Sequence, residues 1–271
     1  MSEKHTEHVF TAVDAQDNPR ACIRVLDTLR REPFYAAYKA RLLELVGVRP
    51  EGRYLDVGAG TGDDARAAAM ATGAVVVALD QSHTMMQEAV NRGLMNAVVG
   101  SAESLPFQDK AFDGCWADRT LQHLVDPARA LREMLRVTRP GGRVVAVDPD
   151  YDTQVMEFPD QELARRVLRF RRDLGLRHGA LAHRIPAMFA EVGLADAQTE
   201  ARTLVVRDPT AVDNVMGLRT WARSAQPGGY LSEEDVRTWE TLFDQTVAAG
   251  RFLYAVTFFL TVGTKGRTCG P

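Results

Sequence analysis

The sequence predicts an α/β fold built on a doubly wound, mostly parallel sheet. Through the middle of the chain, short apolar or β-rich runs alternate with segments of helical spacing, a pattern typical of a parallel sheet with both faces covered by helices. In addition, the first of these runs leads directly into a glycine-rich turn. The runs predicted to be strands are 54–57, 75–79, 97–99, 112–116 and 143–147.

Helix start signals agree with this alternation. Asp126 followed by Pro127 predicts an N-cap and a first-turn proline of one helix. Either Ser82 or Thr84 is expected to cap the helix that carries Met85, and the sequence does not decide between them. Three less regular pieces, residues 1 to about 50, about 150 to 190 and about 207 to 250, are expected to be mainly helical.

Composition limits the classes of partner. With 45% hydrophobic and 25% charged residues, the 271-residue chain resembles an ordinary soluble protein, and its net charge of -3 gives no basic field for nucleic acid. Three widely spaced cysteines offer neither a disulfide framework nor a metal-ligand spacing, which favours a reducing cytoplasm and no metal. The start of the chain lacks the apolar core of a signal peptide, and the most apolar stretch, 252–262, is too short for a membrane span. We expect a cytoplasmic protein with a small-molecule partner, no nucleic acid and no membrane insertion; the oligomeric state stays open.

The most informative stretch is 54–64, YLDVGAGTGDD, a predicted strand that enters a glycine turn and then an alanine-rich helix. Such a turn lets a nucleotide-like ligand lie against bare backbone. Asp80 ends the next predicted strand about twenty residues later, where its carboxylate can accept hydrogen bonds from both hydroxyls of a ribose. This context favours a ligand site over a plain tight turn.

Charges near the glycines help to identify the ligand. A nicotinamide dinucleotide places its pyrophosphate at the helix N-terminus, where free N–H groups favour an anion. Asp63 and Asp64 occupy that helix start and would repel a pyrophosphate, and Asp63 stands where the dinucleotide pattern has its third glycine. Asp56, inside the strand, adds a negative charge that suits a ligand with an ammonium and a sulfonium.

The pattern Asp56-x-Gly58-x-Gly60-x-Gly62 resembles the first motif of class I S-adenosylmethionine-dependent methyltransferases. Further motifs similar to those of the family follow in order between residues 50 and 150. They are a ribose-binding turn at 80–85, an adenine-binding loop at 100–107, the fourth strand at 112–113 and the helix before strand five at 131–142. The branch that the chain resembles is typified by ubiquinone and menaquinone biosynthesis methyltransferases and many natural-product methyltransferases.

This resemblance implies a Rossmann-like, seven-stranded sheet and S-adenosylmethionine as the cofactor. It divides the chain into an N-terminal helical lid (1–50), a cofactor-binding core (51–150) and the rest of the sheet with helical cap insertions (151–271), with the last strand near 252–264. Tyr35 either closes over the cofactor or packs in the core, and Glu103 either flanks the adenine or is an ordinary loop acid. The residues implied to bind the cofactor are Asp56, Gly58, Gly60, Asp80, Gln81, Met85, Ala102, Glu103, Asp118 and Tyr35.

Candidate catalytic residues lie in the loop after the fourth strand. Methyl transfer from a sulfonium requires an aligned nucleophile and sometimes the removal of a proton. Arg119 and His123 are four residues apart, so a helical segment would place them on one face, where the arginine can bind a phenolate and the imidazole can accept a proton. Packing beside the cofactor is the alternative for His123.

The cap region gives weaker signals. One or two of its arginines could hold an acidic acceptor, but spacing does not select among them, and a solvated helix face is the main expectation. These arginines are Arg165, Arg166, Arg169, Arg171, Arg172 and Arg177. His178 and His183 are expected to be solvated or capping. An acceptor pocket or the core is expected to contain Met188, Phe189, Met216, Trp221, Phe252 and Phe258.

Three other functions stay open. A protein of this fold can bind the cofactor and catalyse a reaction other than methylation, such as cyclisation. A nicotinamide-dependent oxidoreductase is disfavoured by Asp63 and Asp64. An RNA or protein methyltransferase is disfavoured by the acidic charge balance and the lack of a basic, aromatic groove in the sequence.

Overall fold

The computed structural model describes residues 10–209 and 217–266, so Met216 and one of the cysteines, Cys269, lie outside the described residues. The strands are β1 (Arg53–Val57), β2 (Val75–Asp80), β3 (Ala97–Val99), β4 (Phe112–Asp118), β5 (Thr138–Glu157), β6 (Leu194–Val206) and β7 (Leu253–Lys265). The α-helices of the described ranges are α1 (Pro19–Arg31), α2 (Pro33–Val46), α3 (Asp63–Thr72), α4 (His83–Asn91), α5 (Pro127–Val137), α6 (Gln161–Asp173), α7 (Ile185–Val192), α8 (Trp221–Ala225) and α9 (Glu233–Ala248).

The strands form one seven-stranded sheet with the order β3-β2-β1-β4-β5-β7-β6. All neighbouring strands are parallel except β7, which runs antiparallel to both β5 and β6. The predicted α/β class and the mostly parallel, seven-stranded sheet are therefore confirmed, and β7 lies where the last strand was expected. The strand order reverses between β1 and β4, and a crevice for ligands is expected outside the carboxyl ends of the strands at such a point.

The sheet is buried on both faces, as strand β4 shows. Trp116 packs in the cluster that includes residues of α2 and α3, whereas Cys115 and Ala117 point the other way into the cluster of α5 and α7. All three side chains are fully buried. Successive side chains of a strand point to opposite faces, so an apolar run without alternation is what a two-sided core requires.

The predicted helix starts are confirmed in detail. The Asp126 side chain accepts a hydrogen bond from the backbone N–H of Arg129, and Pro127 is the first residue of α5. Ser82, rather than Thr84, caps α4, because its hydroxyl accepts a hydrogen bond from the backbone N–H of Met85. Both side chains satisfy backbone donors that have no partner inside the helix.

The segment 150–190 was expected to be mainly helical, but it begins with the continuation of a strand. Strand β5 continues to Glu157, beyond the predicted 143–147, and pairs with β7 again from Val155 after an irregularity that begins at Asp150. This second stretch is half-exposed and not uniformly apolar, so it lacks the signal of a buried strand. Helix α6 begins only at Gln161, and α7 follows after a short 3-10 turn, Ala182–Arg184.

The N-terminal segment packs on the core near the start of α4. Val13, Cys22 and Ile23 form a small apolar cluster with Met85 of that helix. A 3-10 turn, Val13–Ala15, precedes α1 and carries Asp14 to the N-terminus of α4. Within the described ranges, every helix is too short or too polar to cross a bilayer.

Candidate active site

A cavity opens at the carboxyl ends of β1, β2 and β4, the place expected from the reversal of strand order. The N-terminal helices α1 and α2 cover one side of it. All residues expected to bind a cofactor line this cavity except Glu103. Those present are Asp56, Gly58, Gly60, Asp80, Gln81, Met85, Ala102, Asp118 and Tyr35.

The glycine turn after β1 requires glycine for two reasons. Gly58 and Gly60 have φ angles of 72° and 53°, in the left-handed region that other residues rarely adopt. A Cβ atom on Gly58 would lie 2.3 Å from Oγ1 of Thr120, and one on Gly60 would lie 3.0 Å from Cδ1 of Leu26. The Thr120 hydroxyl donates to the carbonyl of Val57 and fixes this close approach. The backbone at the turn is therefore bare toward the cavity.

Asp80 supports the turn and faces the cavity at the end of β2. Its Oδ2 accepts a hydrogen bond from the N–H of Gly60, and its Oδ1 accepts one from the N–H of Ser82, both at 2.9 Å. Burial raises the pKa of this carboxyl, against the lowering effect of these two N–H groups. Each carboxylate oxygen has a further lone pair to offer to ligand hydroxyls.

Asp118, at the end of β4, belongs to a charged cluster with residues of α2. Lys39 forms ion pairs with Asp64 and, at 2.9 Å, with Asp118. The Tyr38 hydroxyl donates to Asp118 at 3.1 Å. Burial would raise the pKa of Asp118, but the charges of Lys39 and Arg119 outweigh it and the pKa is lowered. Asp118 is thus a carboxylate, and it attaches α2 to the sheet.

Asp56 is the buried acid of the glycine motif. Its side chain forms no ion pair within the described ranges, and burial, followed by the charge of Asp64, raises its pKa well above the ordinary value. A buried carboxyl without a cation is unfavourable in its charged form. A cationic ligand group placed nearby would favour the carboxylate.

Asp63 and Asp64 begin α3 as expected, but neither is a free negative charge. Asp63 pairs with Arg30 at 2.5 Å and with Arg92 at 2.7 Å, and Asp64 pairs with Lys39. Their repulsion of a pyrophosphate is therefore weaker than the sequence indicates. Their carboxylates still occupy the helix start that a pyrophosphate would need.

Opposite the glycine turn, Ala102 and Met85 present buried apolar surface to the cavity. Glu103 does not join them: its carboxylate turns away and accepts a hydrogen bond from the backbone N–H of Asp126, at the start of α5. An anion is favoured at that position by the unpaired N–H groups of the helix. The structure thus places Glu103 at a helix terminus outside the cavity lining.

Arg119 and His123 both line the cavity, but the helical face that would bring them together does not form. Arg119 has a φ of 51°, and only a 3-10 turn, Leu121–His123, follows it. The Arg119 guanidinium lies 5.1 Å from the ring centre of Tyr35, and its Nε lies 3.7 Å from Asp118. The loop conformation, rather than helical spacing, directs both side chains to the cavity.

The residues considered in the cap region separate into cavity and core. Phe258 lines the cavity and packs on Tyr35, with ring centres 5.9 Å apart. Most of the other described apolar candidates are core residues; they are Phe189, Trp221 and Phe252. Met188 is partly buried against the cluster that contains Phe189. His178 contacts the carbonyl of Leu124 through Nε2.

His183 lies in a group that the sequence did not single out. Its Nδ1 is 2.6 Å from Oδ2 of Asp150, and one potential ligand atom each from Asp150, Asp152 and His183 lies within 4.8 Å of the others. Asp150 also accepts from the backbone N–H of Asp152, and Asp152 pairs with Arg172. Both carboxylates therefore already have hydrogen-bond or ion-pair partners within the protein.

Comparisons with known proteins agree with this geometry. A family model described as a methyltransferase domain matches residues 55–146. A protein of Streptomyces fradiae, described as an uncharacterized 37.1 kDa protein in transposon TN4556, is 33% identical over 246 residues, 89% of this chain and 70% of that protein. The demethylmenaquinone methyltransferase of Renibacterium salmoninarum is 38% identical over 117 residues, 43% of this chain and 49% of that enzyme.

Solved structures share the fold. The YcgJ protein of Bacillus subtilis has a TM-score of 0.58 at 23% identity and covers 86% of this chain and 99% of its own. Phosphoethanolamine N-methyltransferase 2 of Haemonchus contortus, solved with S-adenosyl-L-methionine, has a TM-score of 0.62 at 18% identity over 95% of this chain and 60% of its own. The [4+2]-cyclase SpnF has a TM-score of 0.52 at 20% identity over 86% of this chain and 81% of its own.

The chain belongs to the class I S-adenosylmethionine-dependent methyltransferases. It matches about half the length of the demethylmenaquinone methyltransferase. The cofactor of this family is S-adenosylmethionine, which supplies a methyl group already activated on a sulfonium. The residues that line the cavity fit such a ligand: Gly58 and Gly60 offer bare backbone, Met85 offers apolar surface, and Asp56 and Asp80 offer carboxyl groups to hydroxyls or cationic groups.

Lys39, Thr120 and Arg171 also line the cavity. Lys39 and Thr120 were not predicted from the sequence, and Arg171 was one of six cap arginines among which the sequence did not select. Thr120 stands one residue from Arg119, so its place in the same loop was a usable signal. Lys39 and Arg171 lie on helices far from the motifs in sequence, and only the packing of α2 and α6 brings them to the site.

Proposed function

We propose that this methyltransferase acts on a small-molecule metabolite with a ring, of the quinone-like or secondary-metabolite type. The observation that carries the proposal is the continuity of the cavity. It extends from Asp80 and the glycine turn to the aromatic rings of Tyr35 and Phe258 and to His123. A cofactor on the glycine turn would thus share one continuous cavity with an acceptor held against aromatic side chains.

The demethylmenaquinone methyltransferase named above supports a ring-containing acceptor, since demethylmenaquinone is a quinone. Aromatic rings that meet edge to face pack well against a planar acceptor. Tyr35 and Phe258 meet at an interplanar angle of 86° and could hold such a ring on the cavity side.

For catalysis we assign His123 as the base and Arg119 as the residue that binds the acceptor oxygen. A neutral imidazole can accept the proton that a hydroxyl or ring carbon loses during methylation. Arg119 stacks over Tyr35, which leaves the edge of its guanidinium group available to a phenolate. The remaining cofactor contacts are assigned to Gln81, Ala102 and Asp118, which line the same cavity.

Calorimetric titration with S-adenosylmethionine, S-adenosylhomocysteine and NAD tests the cofactor half of this proposal. We expect both sulfur compounds to bind and NAD not to bind. Asp80→Ala should weaken binding by at least about tenfold, because a carboxylate that accepts two ribose hydroxyls is lost. Binding of NAD alone would overturn the assignment, and binding of the sulfur compounds would justify acceptor screening with labelled methyl donor.

A second candidate function is cofactor-dependent chemistry without methylation, such as cyclisation. This candidate function is retained because the cyclase SpnF shares the fold of the chain. The similarity concerns the fold alone. Labelled methyl groups separate the two functions. A methyltransferase transfers label to its product, whereas a cyclase changes its substrate and leaves the cofactor unconsumed.

We also propose a cytoplasmic location and a role in natural-product biosynthesis. The two described cysteines, Cys22 and Cys115, are buried and form no disulfide with each other, which suits a reducing compartment. Fractionation of the source cells would show where the protein resides.

A further inference from the structure

Helix α6 and the turn after it present a row of arginines, and most of them have protein partners. Those partners are Glu162 for Arg165, Asp235 for Arg166, Asp173 and Asp152 for Arg172, and the carbonyl of His123 for Arg177. These contacts hold the arginines on the surface or tie α6 to neighbouring segments.

Arg171 is different, because it lines the cavity and forms no ion pair or hydrogen bond with any described residue. Its guanidinium carbon lies 4.1 Å from the ring centre of Trp221 and 5.4 Å from that of Tyr151. Its Nε is buried without an acceptor. The helix thus holds a cation between aromatic rings at the cavity wall.

Partial burial of a guanidinium without a nearby anion raises the free energy of the folded state. Contact with aromatic rings offsets only part of this increase. The stacking fixes the plane of the group, and a fixed guanidinium fork matches the geometry of a carboxylate or a phosphate. The position therefore suits a planar or tetrahedral anion that enters from the cavity.

Charges elsewhere in the cavity show that no protein acid is available for this role. Among the described cavity acids, Asp63 already pairs with Arg30 and Arg92. Asp64 and Asp118 already pair with Lys39. Asp56 and Asp80 lie at the glycine turn, where they suit the cationic end and the ribose of the cofactor. The cofactor side of the cavity is thus acidic, and Arg171 is the uncompensated cation on the side of Tyr151.

We propose that Arg171 binds an anionic group, a carboxylate or a phosphate, carried by the methyl acceptor. This inference rests on the proposed small-molecule methyltransferase function and names the class of its substrate. Arg171 fixes the charged end of the acceptor, and the ring of the acceptor then extends toward Phe258 and the methyl donor.

Binding of simple aromatic anions tests this assignment. The protein is saturated with S-adenosylhomocysteine and titrated with benzoate, phenyl phosphate and neutral methyl benzoate. We expect one of the two anions to bind at least about tenfold more tightly than the ester, and the better anion identifies carboxylate or phosphate as the recognised group. Arg171→Gln should weaken that binding by about tenfold to a hundredfold.

Two further variants make the result specific. Arg171→Lys keeps the charge but loses the planar guanidinium. We expect its affinity for the anion to lie between those of the unchanged protein and Arg171→Gln. Arg165→Gln, on the exposed face of the same helix, should bind the anion like the unchanged protein. Binding of S-adenosylhomocysteine to every variant shows that each is folded.

Equal anion affinity in Arg171→Gln and the unchanged protein would overturn the inference. So would the absence of anion binding to the cofactor-loaded protein, or equal binding of benzoate and its ester. Failure of the cofactor assignment gives a different result, because S-adenosylhomocysteine itself then does not bind. If the reaction is not methylation, S-adenosylhomocysteine still binds but no labelled methyl group reaches a product.

Discussion

Gly58 is the residue at which the backbone of the site is most tightly constrained. Gly58→Ala would combine a left-handed φ with overlap between the new Cβ and Thr120, only 2.3 Å away. Gly73→Ala is a matched control, since Gly73 also has a positive φ but a Cβ there meets nothing within 4 Å.

We expect Gly73→Ala to lower the free energy of unfolding by about 1 kcal/mol, the typical penalty for a left-handed residue with a side chain. Gly58→Ala should lose clearly more, about 2 to 4 kcal/mol, because overlap in a packed site adds about 1 to 3 kcal/mol. It should also lose binding of S-adenosylhomocysteine. Urea unfolding measures both variants, and equal losses would show that Thr120 moves aside without cost.

Removal of the imidazole of His123 should stop turnover while the cofactor still binds. A positioned general base contributes about a hundredfold to ten-thousandfold to a rate. His123→Ala should therefore lower kcat by that factor once an acceptor is known, with unchanged affinity for S-adenosylmethionine. His83→Ala, which alters an exposed imidazole at the start of α4, serves as the control. Retained turnover in His123→Ala would mean that the ring only packs beside the cofactor.

The sequence predicted the residues that belong to the motifs, but it did not identify Lys39 and did not select Arg171 among six candidate arginines. Asp56, Gly58 and Asp80 stand at strand ends, so their common location follows from the parallel sheet. Lys39 and Arg171 have no local signal, because an arginine or lysine on an amphipathic helix usually faces solvent. Glu103 shows the converse: its motif position was clear, but the nearby N-terminus of α5 attracts its carboxylate.

Among the elements, the short turn Val13–Ala15 is joined to α4 through one side chain. The Asp14 carboxylate accepts hydrogen bonds from the Ser82 hydroxyl at 2.7 Å and from the backbone N–H groups of His83 and Thr84. These bonds lower the pKa of Asp14 to about 2, although its partial burial acts to raise it. Asp14 thus acts as a second N-cap of α4, supplied by the N-terminal segment.

Asp14→Asn should loosen the N-terminal segment and lower stability by about 1 kcal/mol, since it removes an anion from a helix N-terminus. Hydrogen exchange should speed up in α1, whereas Asp17→Asn in the same segment should have no effect. The pKa is depressed in the folded state, so this contribution is present above about pH 4 and is lost as the pH falls toward 2. Unchanged exchange in α1 would contradict the link.

Elements with a strong local pattern were predicted within a few residues, and those without one were not. Strands β1 to β4 are apolar because both faces of the sheet are covered, so their runs stand out. Strand β6 lies at the sheet edge with most of its residues exposed, and its polar composition gives no such run. The cap of α4 needed the structure, because Ser82 and Thr84 are equivalent in sequence.

On the scale of the whole molecule, two helical covers contribute differently to the cavity. The N-terminal helices α1 and α2 supply many lining residues, among them Leu26, Leu29, Tyr35 and Lys39. Among the described residues, helices α8 and α9 supply no lining residue, and Trp221 of α8 stacks on Arg171 at the cavity wall. Sequence motifs identify the cofactor half of the cavity, where the ligand dictates the residues. They do not identify the cap, where tertiary packing alone brings the residues to the cavity.

This asymmetry predicts how the molecule responds to its cofactor product. At a hundredfold excess over the dissociation constant, S-adenosylhomocysteine should stabilise the fold by about 2.7 kcal/mol and raise Tm by about 5 to 10 °C. Hydrogen exchange should slow in α1 and α2, which contact the cofactor site, and stay unchanged in α9. Addition of the acceptor should then slow exchange near Arg171 and α8. Equal protection of α2 and α9 by S-adenosylhomocysteine alone would show that the two covers close together, in conflict with the separate roles assigned to them.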